Sequence, residues 1–155
     1  MNASFNAKIK ILDRRLGTEF PLPSYATAGS AGIDIRAMLD KPITINPGDT
    51  VLTHSGFCVF IEDPSIVGIV YPRSGLGYKH GIVLANLVGV IDSDYQGQLM
   101  VPLWNRSHTP FTLNPGDRIA QLVFERTLHA RLNIVEDFAV NSERGLNGFG
   151  STGIR

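Results

Sequence analysis

Short β-like runs, each closed by Gly, Pro, Asn or Asp, recur along this chain. No interior stretch of about twelve residues keeps a helical apolar period without a breaker. The runs are Lys8–Leu12, Ile33–Ala37, Ile43–Ile45, Phe57–Ile61, Ile66–Tyr71, Ile82–Leu87, Leu99–Trp104, Phe111–Leu113, Ile119–Phe124 and Leu132–Val135. Ile, Val, Phe and Thr dominate them, and such side chains suit a pleated surface. The pattern predicts an all-β sandwich or barrel with at most one short helix, one or two turns around Ser74–Lys79. Pro72 precedes that helix, and Gly75 and Gly77 weaken it.

At 155 residues, 43% of them hydrophobic, the chain fits a single domain with a sizeable core. Lys plus Arg and Asp plus Glu are 14 each. Zero net charge argues against a general nucleic-acid binder, which needs a large positive face. The single cysteine, Cys58, excludes an intrachain disulfide framework and the multi-cysteine zinc patterns, and it reads as a buried thiol in a strand. His54, His80, His108 and His129 show no ligand spacing. The N-terminus lacks the apolar stretch of a secretory signal and no run is long enough for a membrane helix, so the expectation is a cytoplasmic protein with no membrane partner.

Two segments echo each other: Ile43-Thr44-Ile45-Asn46-Pro47-Gly48-Asp49 and Phe111-Thr112-Leu113-Asn114-Pro115-Gly116-Asp117. Each is a short strand running into a Pro-Gly pair suited to a type II turn. Either Asn-Pro-Gly-Asp is simply a good turn, or two related β halves are present.

Five segments could carry chemistry. In Ala31–Ala37, Asp34 sits between two apolar residues that share the opposite face, an unusual place for a poor strand former. Tyr71–Gly77 ends a strand and opens a helical turn on Arg73 and Ser74, where free N–H groups suit an anion, although Ser74 could equally be a plain cap. Leu84–Gly97 carries Asn86 in an apolar run, where a buried amide would need partners, and then a polar turn with Asp92, Asp94 and Tyr95. If extended, that turn would send the two carboxylates to opposite faces. Gly116–Leu122 presents Gln121, which could also be a plain outward strand residue. From about Asn141 the chain turns Gly-rich and polar. Gly145, Gly148, Gly150 and Gly153 with Ser151 and Thr152 could wrap a phosphate, Arg144 could pair with it, and Phe149 could stack on a base; a mobile tail is the alternative.

In this order the segments resemble the five motifs of the trimeric dUTP pyrophosphatase (dUTPase) family, bacterial type. They read Ala31-Gly32-Ile33-Asp34-Ile35-Arg36-Ala37, Pro72-Arg73-Ser74-Gly75-Leu76, Gly89-Val90-Ile91-Asp92-Ser93-Asp94-Tyr95-Gln96-Gly97, Pro115-Gly116-Asp117-Arg118-Ile119-Ala120-Gln121 and Arg144-Gly145-Leu146-Asn147-Gly148-Phe149-Gly150-Ser151-Thr152-Gly153. Gln98 departs from the many relatives that carry Glu there. The resemblance implies a jelly-roll-like β domain over residues 1–140, and a C-terminal arm over 141–155 that closes the site. It implies a homotrimer whose sites are shared between subunits, with no nucleic-acid partner, and Mg2+-assisted hydrolysis of dUTP to dUMP and pyrophosphate. Asp92 would be the general base for water attacking the α-phosphorus, and Gln121 would help hold that water or the phosphate. Arg73, Ser74, Gly75, Arg144, Gly150, Ser151 and Thr152 would bind the phosphates. Asn86 and Val90 would frame the uracil, Tyr95 would lie under the sugar and Phe149 over the base. Asp34 would hold the waters of a magnesium ion carried mainly by the triphosphate. Two other readings are a deaminase of the related dCTP deaminase group and a non-enzymatic jelly roll that binds nucleotide or partners.

Overall fold

Alternating side chains make the sheets. In β8 (Gln98–Asn105), Leu99, Val101, Leu103 and Asn105 point into the core, while Met100, Pro102 and Trp104 face outward. The structure, a computed structural model, describes residues 5–140 and 142–146. One antiparallel sheet has the order β1 (Lys8–Ile11), β4 (Thr50–Phe60), β8 and β6 (Ile82–Leu84). The other has β2 (Gly32–Arg36), β10 (Arg118–Arg126), β5 (Ile66–Pro72) and β7 (Gly89–Ile91). The two sheets enclose one core, in which Phe57, Val59, Leu99 and Leu103 meet Ile33, Ile35, Ile119 and Leu122. This is the expected all-β, jelly-roll-like sandwich. The short helix is α1 (Ser74–His80), closed by Gly81 at φ 68°. No helix among the described residues is long and apolar enough to cross a membrane.

The two echoing segments are partners. Their strands, β3 (Ile43–Ile45) and β9 (Phe111–Leu113), pair antiparallel about Thr44 and Thr112. Both turns close alike: Asp49 N–H donates to Asn46 C=O at 3.0 Å, and Asp117 N–H to Asn114 C=O at 3.1 Å. Gly48 and Gly116 take φ of 84° and 80°, as type II turns require. Cys58 is a buried free thiol in β4, as expected.

Three expectations are corrected. Leu132–Val135 is not a strand: residues 127–135 carry no regular structure, and Leu132 and Ile134 are exposed with no strand beside them to pair with. The run beginning at Ile82 ends at Leu84, because a turn starts there, closed by Leu87 N–H on the Leu84 carbonyl at 3.1 Å. Strand β4 starts at Thr50, seven residues earlier than its apolar end suggests, since its first half is half polar.

The paired turns yield a graded prediction. Gly48→Ala meets open space and should cost about 1 kcal/mol for the left-handed backbone alone. A Cβ on Gly116 would run into the Phe20 ring, so Gly116→Ala should cost about 1–3 kcal/mol more. Urea unfolding of the two variants measures the difference, and equal losses would show that Phe20 yields freely.

Candidate active site

Residues three apart on a regular strand point to opposite faces. Arg118 and Gln121 do not, because the β10–β2 register shifts between Arg118 and Ala120. Arg118 lies opposite Arg36, Ala120 opposite Ile35 and Gln121 opposite Asp34. Ile119 is the extra residue, and both it and Ala120 are buried. The bulge therefore brings Arg118 and Gln121 to the face that carries Asp34.

On that face the Asp34 carboxylate bridges two arginines. Arg73 Nε is 3.1 Å from Oδ1 and Arg118 Nη1 is 3.2 Å from Oδ2. Arg73 Nη1 also donates to the Arg118 carbonyl at 3.2 Å. Gln121 Nε2 donates to the Pro72 carbonyl at 3.1 Å, tying β10 to the start of α1. A Cβ on Gly32 would stand 2.8 Å from Gln121 Oε1, so a glycine there leaves room for the amide. Arg73 is the N-cap of α1 without a side-chain cap bond, and Ser74 is the first helical residue, which excludes the plain-cap reading of Ser74. The N–H groups of Ser74, Gly75 and Leu76 precede the first intrahelical bond, from Gly77 N–H to Arg73 C=O at 2.9 Å. Together Asp34, Arg73, Ser74, Gly75 and Gln121 line a cleft of about 340 Å3. On the same row of the sheet, Tyr71 donates to Glu125 at 3.0 Å, and that bond pushes its phenol above the usual range.

A second group lies apart. Asn86 is exposed on the loop after β6, so the buried amide expected there does not arise. Val90 is an exposed residue of β7, and Asp92 follows it at the start of a turn closed by Tyr95 N–H on Asp92 C=O at 3.2 Å. Asp92 and Asp94 are therefore turn residues, both exposed, rather than two faces of an extended strand. Tyr95 Oη is bound to the Gln98 carbonyl at 3.0 Å, and a Cβ on Gly97 would collide with that hydroxyl. The ring is thus held by its hydroxyl and presents a face rather than a donor. Gln98 Oε1 stands 3.4 Å from His54 Nδ1.

Strand register measures the gap between the groups. Asp34, Gln121 and Tyr71 form one row, and Ile91 pairs with Gly68, three residues further along β5. Asp92 is one residue beyond, about 13 Å along the strands and three strand spacings, about 14 Å, across from Asp34. No single phosphate or water spans a gap on the order of 20 Å within one chain.

Arg144 is exposed in the segment 142–146, where Gly145 takes φ 51°. Phe149, Gly150, Ser151 and Thr152 lie outside the described residues. Sequence reasoning gave Arg118 no role of its own: it stands inside the fourth motif, but period-two counting sends it to the wrong face.

A magnesium ion can be tested against the donors. Among the described residues no three His, Cys, Asp or Glu side chains converge. Among the described residues, Asp34 is the only carboxylate lining the cleft. Such a donor set fits an ion held by phosphate and water, with one carboxylate reaching its water shell, and not an all-protein cage.

Comparison with known proteins identifies the family. The family model described as dUTPase matches residues 18–153. The deoxyuridine 5'-triphosphate nucleotidohydrolase of Pasteurella multocida is 61% identical over 145 residues, covering 94% of this chain and 95% of that protein. Its counterpart from Aeromonas salmonicida is 60% identical over 146 residues, with 94% and 95% covered. Among solved structures, the Staphylococcus bacteriophage 80alpha dUTPase with dUPNHPP superposes with a TM-score of 0.83 at 25% identity, covering 97% of this chain and all of that one. A variant of the dUTPase from phage phi11 of S. aureus, described with a structural Mg(II) ion, superposes at 0.74 with 21% identity, over 86% of this chain and 99% of that one.

Proposed function

The chain belongs to the dUTPase family, and from that premise we propose that it is a dUTP diphosphatase whose sites are assembled from several copies of itself. Its relatives from Pasteurella multocida and Aeromonas salmonicida are named for the hydrolysis of deoxyuridine 5'-triphosphate. The observation that carries the reading is the clustering of Asp34, Arg73, Ser74 and Gln121 around one cleft, with Asp92 and Tyr95 set on a separate turn.

In the proposed reaction a water oxygen bonds to the α-phosphorus, the α–β bridging P–O bond breaks, and pyrophosphate leaves with the bond pair. Asp92 takes the proton from the water. A carboxylate is a weak base at neutral pH, so positioning and charge neutralisation carry most of the rate. Arg73, the first N–H groups of α1 and Ser74 hold phosphate oxygens, and Gln121, braced on the Pro72 carbonyl, holds the water or a phosphate oxygen. Mg2+, where bound, neutralises phosphate charge, and Asp34 would reach its water shell. Selectivity falls to the loop Asn86–Val90. Backbone groups there pair with uracil, and the wrong hydrogen-bond pattern of cytosine leaves them unpaired, which rejects an analogue by about 10⁴-fold or more. Tyr95, pinned through its hydroxyl, leaves no space for a ribose 2′-hydroxyl. Arg144, Phe149, Gly150, Ser151 and Thr152 close the site from the arm.

Assembly as a homotrimer is supported by three features. The two residue groups are too far apart to share one site within a chain. The outer face of β4, β8 and β6 carries an apolar ladder, with Leu52 opposite Pro102, His54 opposite Met100, and Val83 and Thr50 flanking Trp104. Leu52 is 56% exposed there, an unfavourable placement for a lone subunit. Residues 127–140 carry exposed Leu132, Ile134, Phe138 and Val140, which suits an arm that covers another copy. The deaminase reading lacks support beside relatives at this identity, and a non-enzymatic role leaves the clustered groups without work.

With magnesium, the protein should release pyrophosphate from dUTP and not from dCTP, dTTP or UTP. Ammonia from dCTP would establish the deaminase instead, and equal turnover of UTP would remove Tyr95 as the sugar gate. Asp92→Asn should bind dUTP with little hydrolysis, a loss of about 10²-fold or more; a near-normal rate would eliminate Asp92 as base. Shared sites can be read by complementation. Asp92→Asn and Arg73→Gln chains should each be nearly inactive, yet unfolded and refolded together in equal amounts they should recover about a quarter of the normal rate. No recovery would mean that both residues serve a site from one chain.

A further inference from the structure

Arg118 stands beside the cleft that Arg73 and Gln121 line, not in it. The cleft with Arg73, Ser74 and Gln121 does not include Arg118, which lines a separate cavity of about 220 Å3 with Arg36 and the loop residues Pro23 and Ser24. Asp34 and Ala26 line both. One oxygen faces Arg73 and the other Arg118, and the two ion pairs are of equal length within 0.1 Å, at 3.1 and 3.2 Å. Arg118 holds Arg73 a second way, through its own carbonyl at 3.2 Å from Arg73 Nη1. Asp34 is ion-paired with Arg73 Nε and the Arg118 carbonyl takes one hydrogen of Nη1, which leaves Nη2 and the second Nη1 hydrogen as a two-nitrogen fork.

We infer that Arg118 is a positioning residue: as counter-ion on the far oxygen of Asp34, it locks that carboxylate in place and so fixes the guanidinium of Arg73 for a bidentate phosphate contact. A lone carboxylate–arginine pair this exposed can rotate about the carboxylate and is worth little. A second cation on the opposite oxygen removes that freedom and keeps the fork pre-aimed, so less order has to be created when the anion arrives. The inference rests on the reading of Arg73 as a phosphate-binding group.

The test is a double-mutant cycle on the assembled protein with magnesium, with affinity for an imido analogue of dUTP measured by calorimetry. Arg118→Gln should weaken binding about tenfold, and in an Arg73→Gln background the same change should add less than about twofold, since its effect passes through Arg73. Arg118→Lys should recover most of the affinity, because one N–H on Asp34 is all that the contact uses. Matching melting temperatures for the Gln and Lys variants exclude a loss of fold, and if the Gln variant does not fold, Arg118→Met takes its place in the cycle. An undiminished tenfold loss in the Arg73→Gln background, or a Lys variant as weak as Gln, would make Arg118 a direct phosphate contact and overturn the inference. Normal affinity in Arg118→Gln would overturn it as well. Normal affinity in Arg73→Gln alone would overturn the phosphate role of Arg73, a failure distinct from that of Arg118.

Discussion

One extra residue in β10 decides what the phosphate-facing sheet can offer. Regular pairing would send either Arg118 or Gln121 into the core, where an arginine side chain would have to be buried without a partner. The shift at Ile119 lets two apolar residues, Ile119 and Ala120, face inward in succession while Arg118 and Gln121 both face out. Since β10 is hydrogen-bonded to β2 on one side and β5 on the other, the same irregularity sets Asp34 and the Pro72–Arg73 exit relative to one another. The bulge, at the start of β10, is thus what lets the cluster form.

Electrostatics follow from that placement. The chain has no net charge, so no long-range field draws a triphosphate in. Arg73 and Arg118 around a single Asp34 leave one surplus positive charge in the immediate cluster. A cluster of that kind gains selectivity from direction more than from strength: the fork of Arg73 and the N–H groups at the start of α1 have fixed aims. The same economy explains why Asp34 tolerates a place among the proposed phosphate-binding groups. Its charge is matched twice before any anion arrives, so repulsion of the substrate is offset locally.

Much of this was legible in the chain. Period-two alternation in Leu99–Trp104 and Ile33–Ala37, with turn residues between runs, reads directly as strands, because burial on one face imposes that period. Asn46-Pro47-Gly48-Asp49 and its echo read as type II turns for the same kind of local reason. What escaped was non-local. Leu132–Val135 has the composition of a strand, yet a strand needs a partner, and none stands beside it in the described chain. Asn86 reads as buried from its apolar neighbours, but the strand has already ended at Leu84 and Asn86 lies in the turn that follows. Arg118 was hidden by the bulge, since two strands must be laid side by side before an odd spacing becomes an even one. The motifs name the candidate residues; register alone shows which of them meet.

Register also limits what one copy can do. The groups suited to phosphate lie on β2, β10 and the β5–α1 junction, whereas Asp92 and the pinned Tyr95 ring lie beyond the end of β7, on the order of 20 Å away. Loop motion does not close such a gap, because β7 is hydrogen-bonded to β5 through Gly68, Ile69 and Val70 and moves with the sheet that carries Arg73. A second copy related by rotation can supply the missing half, and a head-to-tail contact of that kind must close into a ring to leave no unsatisfied interface. A ring in which each junction joins one chain's phosphate groups to another's base-reading turn makes every site depend on the contact itself. On the proposed reading catalysis is then coupled to assembly, since a lone subunit keeps the Asp92 carboxylate out of reach of an anion held at Arg73.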